Sequence, residues 1–233
     1  MKTFEKACVL TCRRITCFFI IILSTAIVSC SKNENAKPVD PVKNSYWYGR
    51  FHYSTGTLER VMCLYLKEND RFEWHDPLGV YTGSWKTSDD KLTIIFDVNK
   101  HETSFDLSGK KLTNQANTNH NDWVIIELSK IEKYPAQLSN SKWFDPYSWL
   151  ITFTNDRLVF YYAGIPTVTG GSGDYKLNGP ILTISNGNFE GKDSAGLFGV
   201  FRDEILMTAN IMSAPGLGSI PTRISSSSSF IKQ

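Results

Sequence analysis

Three short motifs occur twice in this chain, in the same order, and that duplication constrains the fold more than any other feature. Asn44-Ser45-Tyr46-Trp47-Tyr48 is matched by Asn140-Ser141-Lys142-Trp143-Phe144. Asn69-Asp70-Arg71-Phe72-Glu73-Trp74 is matched by Asn155-Asp156-Arg157-Leu158-Val159-Phe160. Gly83-Ser84-Trp85-Lys86, five residues and then Leu92-Thr93-Ile94 are matched by Gly173-Asp174-Tyr175-Lys176, five residues and then Leu182-Thr183-Ile184. The offset drifts from 86 to 96 residues, so insertions or deletions separate the copies. Chance accounts for any one match; three in order read as a tandem repeat of a unit of about ninety residues.

Each copy reads as β-strands. Phe72 and Trp74 alternate with Arg71 and Glu73; Leu92, Ile94 and Phe96 with Thr93 and Ile95; Phe105 and Leu107 with Ser104 and Asp106. Val124, Ile126 and Leu128 alternate with Trp123, Ile125 and Glu127. A period of two marks a strand with one buried face. The turns between them are rich in Asn, Asp and Gly, which supply the positive φ that tight hairpins need. In the second copy the pattern predicts strands at 149–153, 157–162, 181–184, 197–202 and 204–211. Helix signals are nearly absent; the best candidate, 129–138, is broken by Pro135 and serves as a linker. Many short antiparallel strands mean a sandwich or an up-and-down barrel.

The motif order resolves this further. Trp47, the Asn69-Asp70 turn, Gly83-x-Trp85-Lys86, Leu92-Thr93-Ile94 and the hairpin Phe105-x-Leu107-x-Gly109-Lys110-Lys111-Leu112 together resemble the small lipocalin-like domains of Bacteroidetes lipoproteins. The resemblance covers residues 44–132 well and 140–233 less well. It implies an all-β chain of two tandem antiparallel up-and-down barrels. In the second copy the first hairpin is about ten residues shorter and the end, 213–230, is rich in Gly, Pro and Ser. That leaves its closure open.

The N-terminus says where such a protein would reside. Lys2, Lys6, Arg13 and Arg14 precede an apolar run over 15–28, and the chain turns polar after Cys30. This is the order of a signal peptide. Ile27-Val28-Ser29-Cys30 resembles the bacterial lipobox, which implies cleavage before Cys30 and its modification with diacylglycerol and an N-acyl chain such as palmitate. A spanning helix needs about 20 apolar residues, more than this run has. A non-lipidated secretory signal would leave Cys30 as an unexplained thiol. Residues 31–43 are polar, carry two prolines and read as a tether reaching about 40 Å. Ser31 after the cysteine favours an outer membrane if the cell has two; the membrane face stays open. The division is therefore 1–29 signal peptide, 30–43 lipidated cysteine and tether, 44–132 first barrel, 133–139 linker and 140–233 second barrel.

Composition narrows the chemistry. Cys8, Cys12 and Cys17 leave with the signal and Cys30 carries lipid, so Cys63 alone remains and no intramolecular disulfide forms. It sits in the apolar run 61–66 and reads as a buried structural thiol. Past the signal, 21 basic residues face 22 acidic ones, with no basic cluster, which argues against a nucleic-acid partner. His52, His75, His101 and His120 show no ligand-pair spacing, so no metal site or other cofactor is expected. His75-Asp76 and His101-Glu102 fall in or beside turns, where solvated residues belong. Asp89-Asp90 and Asp203-Glu204 fall at hairpin tips, not across a cleft. Gly170–Gly173 lacks a following helix for phosphate and reads as a flexible loop. No catalytic constellation emerges, and the chain reads as a non-catalytic binder.

Aromatic residues are the remaining lead. Trp47, Tyr48, Trp143, Phe144 and Tyr161 are the candidates for stacking on a glycan or a small apolar ligand. Tyr161 and Tyr162 are adjacent, so one of them must point outward. Strands of about six residues leave little depth for a cup. The ligand would then sit at a barrel mouth or between the copies. The alternative is a protein-interaction or structural module of the outer membrane.

Overall fold

The structure, a computed structural model, describes residues 42–53, 59–114, 123–145, 149–162, 165–189, 192–213, 221–224 and 228–233. Residues 1–41, which hold the segment read as a signal peptide, Cys30 and most of the segment read as a tether, lie outside the described residues, as do His120 and Tyr147. Eight strands close the first barrel in sequence order. They are β1 (Ser45–Tyr53), β2 (Arg60–Leu66), β3 (Arg71–Asp76), β4 (Gly79–Ser88), β5 (Lys91–Phe96), β6 (Glu102–Ser108), β7 (Lys111–Thr113) and β8 (Trp123–Lys130). Its core gathers the inward side chains, among them Trp47, Phe51, Leu64, Phe72, Trp74 and Leu92.

The second copy repeats the scheme with β9 (Lys142–Phe144), β10 (Trp149–Phe153), β11 (Arg157–Tyr162), β12 (Ile165–Asn178), β13 (Ile181–Phe189), β14 (Lys192–Arg202), β15 (Ile205–Ser213), β16 (Pro221–Ile224) and β17 (Ser228–Lys232). This barrel closes, with β17 between β15 and β9 and β16 continuing its line along β15. The Gly-, Pro- and Ser-rich end had left that closure open. Five residues suffice, because Phe230 enters the core while Ile231 and Lys232 pair with Phe144 and Trp143. The Gln233 amide then donates to the Lys142 carbonyl at 3.0 Å.

The repeated motifs are fold devices. Gly83 pairs with Phe72, and a Cβ there would stand 2.3 Å from Phe72 Cε1. Gly173 pairs with Leu158, the counterpart of Phe72, and its Cβ would stand 2.4 Å from Ile184 Cγ2. Both glycines are sites of close approach inside a strand. Two residues on, Trp85 donates its indole N–H to the carbonyls of Arg71 and Lys67 at 3.0 and 3.2 Å. Tyr175 reaches the carbonyls of Thr154 and Asn155 at 3.0 and 3.1 Å in the same way. Each aromatic side chain thus ties down the Asn-Asp turn below it through carbonyls in or beside that turn.

Three further expectations are corrected. Gly170–Gly173 is not a loop but lies inside β12, which runs for 14 residues. The strands β12, β13 and β14, at 14, 9 and 11 residues, are much longer than six. In β8 a register shift opposite Arg50 and Phe51 breaks the strict alternation. Ile125 as well as Leu128 therefore packs on the core.

The two barrels are not beads on a string. Both belong to one compact unit, Val42–Gln233. Tyr48, Val61 and Cys63, on the outer face of β1 and β2, pack with Ile131 against Ile181, Phe198 and Val200 of the second barrel. The strand β2 is therefore buried on both faces, which explains its unbroken apolar run. Gly179, with φ of 58°, lets Tyr46 approach so closely that a Cβ there would stand 2.7 Å from its Oη. The seam is thus filled by side chains of both copies.

Candidate functional site

Of the five aromatic candidates, Trp47 and Trp143 are core residues, 0% and 1% exposed. Their motif explains them. Asn44 and Asn140 take positive φ of 52° and 63°, a backbone region asparagine tolerates well. The following serine turns its hydroxyl inward. Ser45 Oγ accepts the Trp47 indole N–H at 2.8 Å and donates to the Val42 carbonyl. Ser141 Oγ accepts from Trp143 at 3.0 Å and donates to the Leu138 carbonyl at 2.6 Å. Val42 and Leu138 join the two cores. The shared Asn-Ser-x-Trp motif therefore plugs one end of each barrel and offers no ring for stacking.

Tyr48 is also buried, but between the barrels, where the Arg202 guanidinium lies 5.5 Å over its ring. Its counterpart Phe144 has a different environment. Trp143 points into the core, so Phe144 faces out. Phe144 pairs with Leu150 on one side and Ile231 on the other. Leu150 pairs in turn with Tyr161, and Ile231 with Ile205. The inward neighbours Ile151, Leu158, Leu206 and Phe230 fix the same parity for all four. Ile205, Ile231, Phe144, Leu150 and Tyr161 thus form one row across five adjacent strands of the outer wall. Ile231 is 50% exposed, Ile205 39%, and the other three are partly exposed.

Phe144 and Tyr161 were legible from sequence as candidates; Leu150, Ile205 and Ile231 were not. The only available signal was an apolar residue at a position whose neighbours along the strand are also apolar. Register alone turns those scattered residues into a row.

A polar cluster occupies the far end of β3. His75 and Asp76, read from sequence as solvated, are only 8% and 4% exposed. Asp76 shares the inward parity of Trp74 and closes the hairpin. It accepts from the Leu78 amide at 2.7 Å, the Gly79 amide at 3.3 Å and Trp74 Nε1 at 3.3 Å. Burial raises its pKa, offset in part by those donors and by the nearby Arg60 charge. Arg60 has the inward parity of Met62 and Leu64, and its Nε and Nη1 atoms are shielded from solvent. On the outer face, His75 Nε2 lies 3.1 Å from Glu73 Oε2, and Glu73 also pairs with Lys67. Burial lowers the His75 pKa. These contacts close the turn and brace the hairpin.

A shallow polar groove of ≈ 520 Å³ lies between the linker and the C-terminus, lined by Pro135, Gln137, Asn140, Lys142 and Gln233 among others. Among the described residues no group of three or more His, Cys, Asp or Glu side chains is placed to hold a metal ion. Asp89-Asp90 and Asp203-Glu204 lie at hairpin turns. Comparison with protein-family models, curated proteins and solved structures finds no match.

Proposed function

We propose that this chain is a cell-envelope lipoprotein, tethered to the outer membrane through lipid on Cys30, that works by binding and not by catalysis. Its working surface is the outer wall of the second barrel and its partner is a protein. The observation that carries this reading is the apolar row. Both cores are filled by large side chains, Trp47, Phe51 and Trp74 in one and Trp143, Phe153 and Phe201 in the other. A cup-type binder would instead leave its interior open. The row Ile205–Ile231–Phe144–Leu150–Tyr161 does the reverse and leaves apolar side chains partly exposed on the outer wall, which supports reading it as an interaction surface.

A second reading, a glycan or small apolar molecule, is favoured by one observation. Phe144 and Tyr161 combine ring surface with partial exposure in that same row, as stacking requires. One experiment separates the two. A photoreactive residue replaces Phe144 in the full chain, expressed in its own host, and adducts are sought after illumination. A protein adduct supports the first reading. If none forms, and the purified protein carries a small molecule that leaves on denaturation, the second stands. If neither appears, the binding reading falls.

A further inference from the structure

The two barrels join at their plugged ends. Gly179, in the β12–β13 turn, lies against Tyr46 at the start of β1, and the Asp203 amide donates to the Lys133 carbonyl at 2.9 Å. Val42 sits in the plug of the first barrel, where its carbonyl accepts from Ser45. The segment read as a tether therefore joins the molecule at this end. At the same end of the second barrel lies the polar groove of ≈ 520 Å³ between the linker and the end of β17. Lys142 and Lys232 line it, and Lys133 stands in the linker beside it. All three are exposed, and none makes an ion pair among the described residues. Their carboxylate neighbours are Glu132, which pairs with Lys110, and Asp203 and Glu204 in the β14–β15 turn. Lys130 and Arg202 add to the cations, so six cations meet three carboxylates here. They are scattered in sequence, and only the fold gathers them. Tyr134, 40% exposed, stands among them in the linker.

From these placements we propose that the joined plugged ends rest on the headgroup layer of the membrane that carries the anchor, with the groove and its lysines against anionic lipid phosphates. The proposal rests on reading Cys30 as the lipidated residue. Charge complementarity supplies the attraction, because a lysine within a Debye length of an anionic bilayer is drawn to it. Three lysines are too few to hold a protein on a bilayer unaided, and enough to orient one that a tether already holds there. Tyrosine suits that depth, with its ring in the headgroup layer and its hydroxyl in water. Tether length points the same way. The 12 residues from Cys30 to Val42 form a coil about 20 Å across. The nine-residue strand β1 is about 30 Å long. The far end could reach the bilayer only with the tether stretched back along the barrel wall. Its charge is also unfavourable, since Arg50, Arg60 and Lys100 stand there with Glu59, Asp76, Asp97 and Glu102, and Arg50 is paired with Glu59.

The test supplies the anchor chemically. Residues 30–233 are coupled through Cys30 to a maleimide-bearing lipid in vesicles, the other thiol, Cys63, being buried. The outcome is then independent of whether the host acylates Cys30, which fractionation of Cys30→Ala tests separately. Exposed lysines are labelled with an amine-reactive reagent and read by mass spectrometry. On phosphatidylglycerol vesicles, labelling of Lys133, Lys142 and Lys232 should fall about threefold or more against phosphatidylcholine vesicles. Lys100, exposed at the far end, should label equally on both. The protection should vanish in 1 M salt, where the Debye length is about 3 Å. Equal labelling of the three lysines on the two lipids overturns the proposal. Protection of Lys100 in their place overturns it too, as does protection that survives the salt.

Discussion

Gly83 lies directly beneath the ring of Phe72, its partner across β3 and β4. A Cβ at this position would also stand 2.1 Å from the Ile95 carbonyl oxygen, so neither ring nor backbone can yield cheaply. Gly83→Ala should destabilise the protein by about 3 kcal/mol through overpacking. Gly173→Ala should follow, because Ile184 Cγ2 would be 2.4 Å away. Urea unfolding of the two variants checks this; an unchanged midpoint for Gly83→Ala would refute the close approach.

Ser141→Ala strands the Trp143 indole N–H in the core, while the Leu138 carbonyl keeps the amide of residue 141. A buried donor left without its acceptor costs about 1–3 kcal/mol. Ser45→Ala should lose a similar amount in the first barrel. The filled seam between the barrels predicts more: each substitution should lower one shared unfolding transition. Calorimetry that resolves two transitions, only one of which moves, would show the barrels to be energetically independent.

His75 sets a pH dependence. Burial opposes its charged form, and the neighbouring Glu73 offsets that only in part, so its folded pKa lies below 6.5. Above 6.5 neither folded nor unfolded chain binds the proton. As the pH falls below 6.5 the unfolded chain takes up a proton that the folded chain refuses. The contribution is therefore complete above 6.5 and is lost as the pH falls through the folded value. His75→Gln lacks this term. The stability difference between wild type and variant, followed by urea unfolding across this range, should shrink toward acid; a flat difference would contradict a buried neutral imidazole.

Cys63 is sealed between the barrels, and burial pushes its thiol pKa well above the ordinary range. It should not react with a chromogenic disulfide reagent in the native protein and should react at once in denaturant. Rapid native labelling would mean that the seam opens.

Cys30→Ala tests the tether. If lipid on Cys30 holds the chain to a membrane, the variant should appear in the soluble fraction after osmotic lysis while the wild type sediments with membranes. A variant that still sediments points to the wall, or to an uncleaved signal, as the anchor.

Local rules made the architecture legible. Period-two alternation placed β3, β5, β10 and β11, and the last two run over the residues the pattern predicts. The repeat announced two barrels, and Asn-Ser-x-Trp, Asn-Asp and Gly-x-aromatic-Lys mark the same plug, turn and close approach in each. These features depend on residues close in sequence or directly opposite across a hairpin. The rest depends on distant pairing. Closure of the second barrel hangs on Phe230 and the pairing of Ile231 with Phe144, which no local pattern encodes. The burial of His75 and Asp76 depends on what lies over the hairpin. The separate fates of Tyr48 and Phe144 show the division most clearly. The sequence repeats both as an aromatic after Trp, but one is covered by another barrel and the other faces outward. A period of two tells which side of a strand a residue occupies; only the packing of whole sheets tells whether that side meets core, barrel or solvent.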